Sequence, residues 1–204
     1  MPPRHYRQSL RAESAAATRT RILDAAIARI RSEPSRPASI DEIANLAAVA
    51  RSTIYTVFGS RPALFDAVAL ELHERGGYAR LLEAVRQPDP RKSLRGGITA
   101  GVDVFASDPD VFRALHSMEK LDPNAAGGAI ARIETQRAQG MSWLAGELKK
   151  AGELRKGVTA ERAAHVLWIA ASFDAFDLLH SGRGLEAPEI AEILVDGAER
   201  AICR

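Results

Sequence analysis

Apolar residues recur at three- and four-residue spacing along most of the chain, and no segment alternates with the period of two that a half-buried strand shows. Ile22, Leu23, Ala26, Ile27 and Ile30 form the first stripe and predict a helix that ends before Pro34. Ser39, followed three residues later by Glu42, is a capping box in which each side chain satisfies a free backbone N–H at a helix start. It predicts a second helix to about Leu46. Three or four residues later a shorter face, Ile54, Val57 and Phe58, predicts a third helix barely two turns long, ended by Gly59 and Ser60. Ser60 then caps a fourth through Pro62, Leu64, Phe65, Val68 and Leu72, which stops at Gly76 and Gly77.

Downstream, Asp89-Pro90 and Asp108-Pro109 each pair an N-cap with a first-turn proline, and Asp122-Pro123 marks a further break. Longer helices are expected over about 126–151 and 159–181, with a last one from near Pro188. The fold class is therefore all-α, without internal repeats or low-complexity tracts.

The third helix carries a polar strip whose partner is the main question. At 100° per residue, Val57 and Phe58 fall within about 60° of Ile54, whereas Ser52, Tyr55, Thr56 and Gly59 fall roughly 100–200° away. Arg51 sits in the first turn and can reach across. Two short helices joined by a tight turn, preceded by a third helix and a basic arm, are the parts of a helix-turn-helix DNA reader. The other reading is an ordinary solvated face, and spacing alone does not separate the two.

Charge shifts the balance once the chain is divided. Residues 1–61 hold ten Arg against five acids, while the remaining 143 residues hold 18 basic and 21 acidic side chains. A basic N-terminal third on a mildly acidic remainder is the distribution expected if only the first part meets a polyanion. The overall charge of +2 conceals this asymmetry. At 204 residues and 46% hydrophobic content the chain can bury a substantial core. It has no long uncharged apolar run and no signal-peptide pattern, so a cytoplasmic protein with no membrane partner is expected. Its one cysteine, Cys203, reads as an incidental thiol on a fraying end.

The stretches TRTRILDAAIARI and SIDEIANLAAVARSTIYTVFGSRPALFDAV resemble the N-terminal DNA-binding domain of TetR-family transcriptional regulators. The matching positions are Ile43, Ala44, Val49, Thr53, Ile54, Tyr55, Phe58, Arg61 and Leu64. The resemblance implies a flexible basic arm over 1–15, a helix-turn-helix domain over 16–62, and a helical bundle for ligand binding and dimerisation over 63–204. It implies that Arg51, Ser52 and Thr56 lie near base edges of double-stranded DNA, and that Ser39, Thr53, Tyr55 and Arg61 contact phosphates. Phosphate contacts position such a protein and base contacts specify the sequence.

The chain departs from the family pattern at a few places. Ala48 stands where Gly is usual, which implies a left-handed residue at a cost of about 1 kcal/mol. Ala50 replaces a usual Ser and leaves the third helix without a side-chain N-cap. Arg61 replaces a usual Lys. The segment SEPSRPAS lacks the Gly-aromatic pair common between the first two helices.

Arg4, Arg7 and Arg11 could enter an adjacent minor groove or remain a diffusely attracting tail. In the C-terminal part the large apolar and aromatic residues are mainly core, with a subset expected to line a pocket: Phe105, His116, Met118, Trp143, Trp168 and Asp174. Asp174, Asp177 and His180 recur every three residues, a weak metal-like spacing without the further ligands a carboxylate-bridged site requires, so neither metal nor cofactor is expected. One two-turn helix reads few base pairs, so a homodimer is expected. Its contacts would include Ile169, Phe173 and Phe176 on one helix and Ile190, Ile193, Leu194 and Ala198 on the last.

No nucleophile elbow, phosphate loop, zinc-protease motif or dinucleotide fingerprint is present, so the chain reads as a regulator rather than an enzyme. The expected mechanism is a ligand-responsive repressor, released from a palindromic operator by an unknown small, largely apolar effector. The alternative is a helical ligand-binding or protein-interaction module without specific DNA binding.

Overall fold

The helical periodicity translates into eleven helices in the computed structural model, which describes residues 4–122 and 128–204, with side chains described from residue 13 onward. They are α1 Arg4–Ser32, α2 Ile40–Leu46, α3 Arg51–Phe58, α4 Arg61–Gly76, α5 Tyr78–Ala84, α6 Pro90–Ala106, α7 Pro109–Leu121, α8 Ala129–Lys150, α9 Ala160–Ala170, α10 Phe173–Arg183 and α11 Ala187–Ile202. No described helix is long and apolar enough to cross a membrane. Among the described residues the only β pairing is an isolated antiparallel bridge between Leu154 and Cys203.

The chain divides into two compact units, one comprising residues up to 71 together with 113–129, the other 72–112 with 130–204. The division falls inside α4, a continuous helix whose first turn holds positions 62 and 63. The backbone of α1 starts at Arg4, within the segment read as an arm.

In the first unit, Ile22 and Ile27 of α1, Ile43 of α2, Ile54 of α3 and Leu64, Phe65 and Val68 of α4 are all buried. Each such side chain contributes on the order of 2 kcal/mol by leaving water. Together they set how the short helices α2 and α3 lie against α1.

The SEPSRPAS loop packs by charge instead of by an aromatic. Arg36 pairs with Glu33 and, at 2.5 Å, with Glu42. Glu42 also lies 3.2 Å from the buried Arg29 of α1. The loop and both flanking helices are thereby tied to one carboxylate.

The second unit has two adjoining cores. Leu94 and Ile98 of α6 pack with Leu144 and Leu148 of α8, Leu167 of α9 and Ile202 of α11. A phenylalanine cluster continues from there. Phe105 lies 5.4 Å from both Phe112 and Phe173 and 5.9 Å from Phe176 between ring centroids, distances at which aromatic edges and faces attract. His73 joins it edge-on at 5.0 Å from Phe112. Gly76 permits the close approach of α4's last turn to α6, since a Cβ there would stand 2.9 Å from the Val104 carbonyl oxygen.

Local capping follows the sequence at Asp89, whose carboxylate accepts the Arg91 and Lys92 N–H groups at 2.9 and 3.4 Å. It departs from expectation over 159–181, read as one helix and found as two, α9 and α10. Ser172 causes the break: its backbone is extended, its hydroxyl donates to the Ile169 carbonyl at 2.7 Å, and its oxygen accepts the Ala175 N–H at 3.1 Å. The serine closes one helix and caps the next.

The C-terminal end is pinned, contrary to the fraying tail expected around Cys203. The Arg155 N–H donates to the Ile202 carbonyl at 2.9 Å and the Arg204 N–H to the Glu153 carbonyl at 3.0 Å. Arg91 pairs with the Glu153 carboxylate at 2.9 Å and donates to the Arg204 carbonyl. Cys203 is buried, and burial pushes its thiol up from the usual range.

Candidate nucleic-acid interface

The turn between α2 and α3 is built around one left-handed alanine. The Ala48 N–H reaches the Asn45 carbonyl at 3.1 Å and the Val49 N–H reaches back to Ala44 at 3.0 Å, the paired hydrogen bonds of a Schellman helix end. That motif requires a left-handed residue between them, and Ala48 has φ of +50°. It is the one non-glycine residue with positive φ among the described residues. Ala50 follows as the N-cap of α3 in extended conformation with no side-chain hydrogen bond, as the sequence implies. Gly59 ends α3 at φ of +82°, where its N–H bonds the Tyr55 carbonyl at 2.8 Å.

Between these ends the helix is sharply two-sided. Ile54 is fully buried and Val57 and Phe58 are half-buried, while Arg51, Ser52, Tyr55, Thr56 and Gly59 are exposed. Arg19 of α1 lies over the Phe58 ring at 4.7 Å, within cation–π range, and covers the flank of α3. The polar strip thus forms one open face on a helix whose other side is anchored.

The individual side chains are not equally available. Ser52 is exposed, and its carbonyl accepts the Thr56 hydroxyl at 3.0 Å, which leaves the Thr56 lone pairs and methyl outward. Thr53 is half-buried beside the strip. Arg51 is held: its Nη1 donates to both Asp41 carboxylate oxygens, at 3.0 and 2.8 Å, and its Nη2 to the Tyr55 hydroxyl at 3.4 Å. These bonds raise the guanidinium pKa further, Tyr55 contributing most and Asp41 next.

Ser39 is occupied in the capping box with Glu42. Arg61 is half-buried and turned inward, donating to the Ala38 carbonyl at 3.2 Å while lying 4.6 Å over Phe65. It ties the entry of α2 to the base of α4. The side chains of Arg4, Arg7 and Arg11 lie outside the described residues.

Asp41 is the residue that sequence reasoning missed. The available signal was an acid in the first turn of α2 and an arginine in the first turn of α3, joined by a turn short enough to bring the two helix starts together.

The residues expected to line a pocket differ in burial and fall in both units. Phe105 is packed in the phenylalanine cluster, and Asp174 is exposed at the start of α10. Trp143 and Trp168 are 56% and 42% exposed on α8 and α9, and His116 and Met118 are half-buried on α7. Aromatic identity alone does not say which side of a helix faces inward.

A groove of about 360 Å³ runs between α8 and α9, lined by Ala138, Ser142, Ala160, Ala164, His165 and Trp168. Of the expected pocket residues, Trp168 alone lines it. Arg137 lies 5.0 Å over the Trp168 ring.

The expected dimer contacts also divide. Phe173, Phe176, Ile190 and Ala198 are buried in the chain's own core, where a second copy cannot reach them, and Leu194 is half-buried. Ile169 and Ile193 are 59% and 43% exposed, as is Leu178 at 71%. Asp177 accepts the Ser181 hydroxyl at 2.7 Å, and His180 stacks on Phe176 with Nδ1 3.1 Å from the Leu185 carbonyl. Among the described residues no group of three His, Cys, Asp or Glu side chains is placed to hold a metal ion.

No curated relative matches the sequence. The fold does have close counterparts among solved structures. A TetR family transcription regulator from Marinobacter aquaeolei VT8 superposes with a TM-score of 0.69 at 18% identity, covering 94% of this chain and 98% of the other. Native NalD, the secondary repressor of the MexAB-OprM multidrug efflux pump in Pseudomonas aeruginosa, gives 0.73 at 21% identity with the same coverages. The ketosteroid transcriptional regulator KstR2 of Mycobacterium tuberculosis gives 0.65 at 15% identity, covering 91% and 95%. Residues 22–68, which hold the C-terminal part of α1, all of α2 and α3 and the first half of α4, match the model of the bacterial regulatory proteins of the tetR family. Over residues 22–68 the chain is thus similar to the bacterial regulatory proteins of the tetR family, and its fold is the one these solved regulators share.

Proposed function

We propose that this regulator binds a palindromic operator as a homodimer and represses transcription until a small, largely apolar effector releases it. The observation that carries the DNA side is the two-sided α3: an anchored apolar flank and an exposed strip of Arg51, Ser52, Tyr55 and Thr56, short enough for a major groove. Arg51, Ser52 and Thr56 meet base edges, and Thr53 and Tyr55 meet phosphates. The inward-turned Arg61 contributes by holding α2 and α4.

Homodimerisation is supported by the large apolar side chains that the last helices leave in water, Trp168 and Ile169 on α9, Leu178 on α10 and Ile193 on α11. A contiguous apolar patch formed by these side chains would mark an association surface. The effector reading is supported by the helical, apolar interior of the second unit and by the fold shared with NalD, a repressor attached by name to an efflux pump, and KstR2, a ketosteroid regulator. An effector acts by binding one of two arrangements of the dimer more tightly, so that the reading heads leave half-site register.

The test pairs two variants with intact folding controls. Arg51→Ala and Thr56→Ala abolish sequence-specific binding to the DNA upstream of the chain's own gene while circular dichroism and sedimentation stay unchanged. Variants that bind that DNA as the parent does contradict the reading.

A further inference from the structure

The regulator reading leaves unexplained why the arginine best placed to reach DNA is already engaged. Arg51 occupies the first position of α3, on the open face, yet its Nη1 spans both oxygens of Asp41 and its Nη2 bonds the Tyr55 hydroxyl. Its guanidinium also lies 5.8 Å from the centre of the Tyr55 ring. The Arg51 and Asp41 side chains are 57% and 62% exposed, so neither bond is forced by burial. The acid comes from a different helix, in the first turn of α2, where the exposed partner of a solvated arginine need not be anionic at all.

We infer that Asp41 is a specificity-determining residue that competes with DNA for Arg51. This inference rests on the regulator reading and adds the device that sharpens it. A free arginine at the start of α3 binds any phosphate oxygen within reach, and such contacts are independent of sequence. Held from two sides by Asp41 and Tyr55, the guanidinium is withdrawn from those encounters. Leaving Asp41 exposes a carboxylate to the phosphate-lined groove, a like-charge juxtaposition that any DNA must offset. A guanine edge offers the bidentate acceptor pair that replaces the lost carboxylate bonds, whereas a stray contact does not. Asp41 therefore weakens binding to all DNA and weakens it most where the sequence is wrong.

The exchange has a salt signature. While Arg51 stays on its internal carboxylate it neutralises no phosphate, and a phosphate contact that it does not make releases no counterion. Without the carboxylate the same contact adds about 0.9 to the magnitude of the salt slope.

The experiment uses the full chain, a duplex selected by the parent from a randomised pool, and a scrambled duplex of the same composition. Asp41→Asn keeps size and polarity and removes the charge. The expected result is an affinity for the scrambled duplex that rises about tenfold at roughly 0.1 M salt, a smaller rise for the selected duplex, and a salt slope steeper by about 0.9. In an Arg51→Ala background the same substitution changes the slope little. Unchanged affinities and slope, weaker binding to the selected duplex, or an effect that persists in full without Arg51 would overturn the inference. A parent protein for which the pool yields no selected duplex overturns the regulator reading itself, which separates the two failures.

Discussion

Ser39 and Glu42 satisfy each other at the start of α2: the Ser39 Oγ accepts the Glu42 N–H at 3.2 Å and the Glu42 carboxylate accepts the Ser39 N–H at 3.0 Å. The residue expected to touch a phosphate is thus also the cap of its helix. Glu42 further receives Arg36 and Arg29, which makes it the hub joining α1, the following loop and α2. Its carboxyl is lowered to about 2, first by the Ser39 N–H and then by Arg36.

A carboxylate held below its ordinary value contributes stability that is fully present above about 4.5, where the unfolded chain is ionised, and is lost as pH falls through about 2. Glu42→Gln is therefore expected to melt below the parent at neutral pH, with the gap closing as pH is lowered from 4.5 toward 2. Thermal unfolding followed by circular dichroism across that range checks this. A gap independent of pH contradicts it.

Ala48 carries strain that glycine does not. A left-handed alanine at φ of +50° costs roughly 1 kcal/mol, and glycine relieves most of it while making the unfolded chain somewhat more flexible. Ala48→Gly is expected to raise stability by about 0.5 kcal/mol, read from the midpoint of urea unfolding. Ala48→Val, with a branched side chain at the same backbone angle, is expected to lower it.

Ala50 leaves the N–H groups at the start of α3 without a side-chain acceptor. Its backbone is already extended, the conformation a cap requires, so Ala50→Ser is expected to add about 1 kcal/mol without moving the helix. Urea unfolding measures the gain, and unchanged DNA affinity at equal folding shows that the reading face is preserved.

Ile169 sits 59% exposed on α9, beside the exposed Trp168. Ile169→Glu is expected to shift the chain from dimer to monomer in sedimentation velocity, with helix content retained because the side chain is exposed rather than buried in the core. An unchanged sedimentation coefficient places the association surface elsewhere.

The open polar face of α3 was legible because its periodicity is unambiguous, although spacing did not say what that face meets. Ile54, Val57 and Phe58 define one side of α3, and everything polar falls opposite. The caps at Ser39 and Asp89 were legible for the same local reason, as was the bare start of α3 at Ala50. What the pattern could not carry was direction at longer range. Arg61 looks the same in sequence whether it reaches for a phosphate or turns back to the Ala38 carbonyl. Phe173, Phe176 and Ile190 have the spacing of an interface and prove to be interior, because a stripe shows that a face is buried without saying by what. The break at Ser172 was hidden by apolar residues that keep helical spacing on both sides of it. Asp41 was passed over because its role exists only once two helix starts are brought together.

Selection of duplexes from a fully randomised pool by the purified full chain tests the central claim most directly. The account predicts a two-fold symmetric consensus whose half-sites are centred about one helical turn, or a multiple of it, apart, and whose most constrained positions lose their preference when Arg51 or Thr56 is replaced. A pool that shows no enrichment, or an enriched sequence indifferent to both residues, would contradict it.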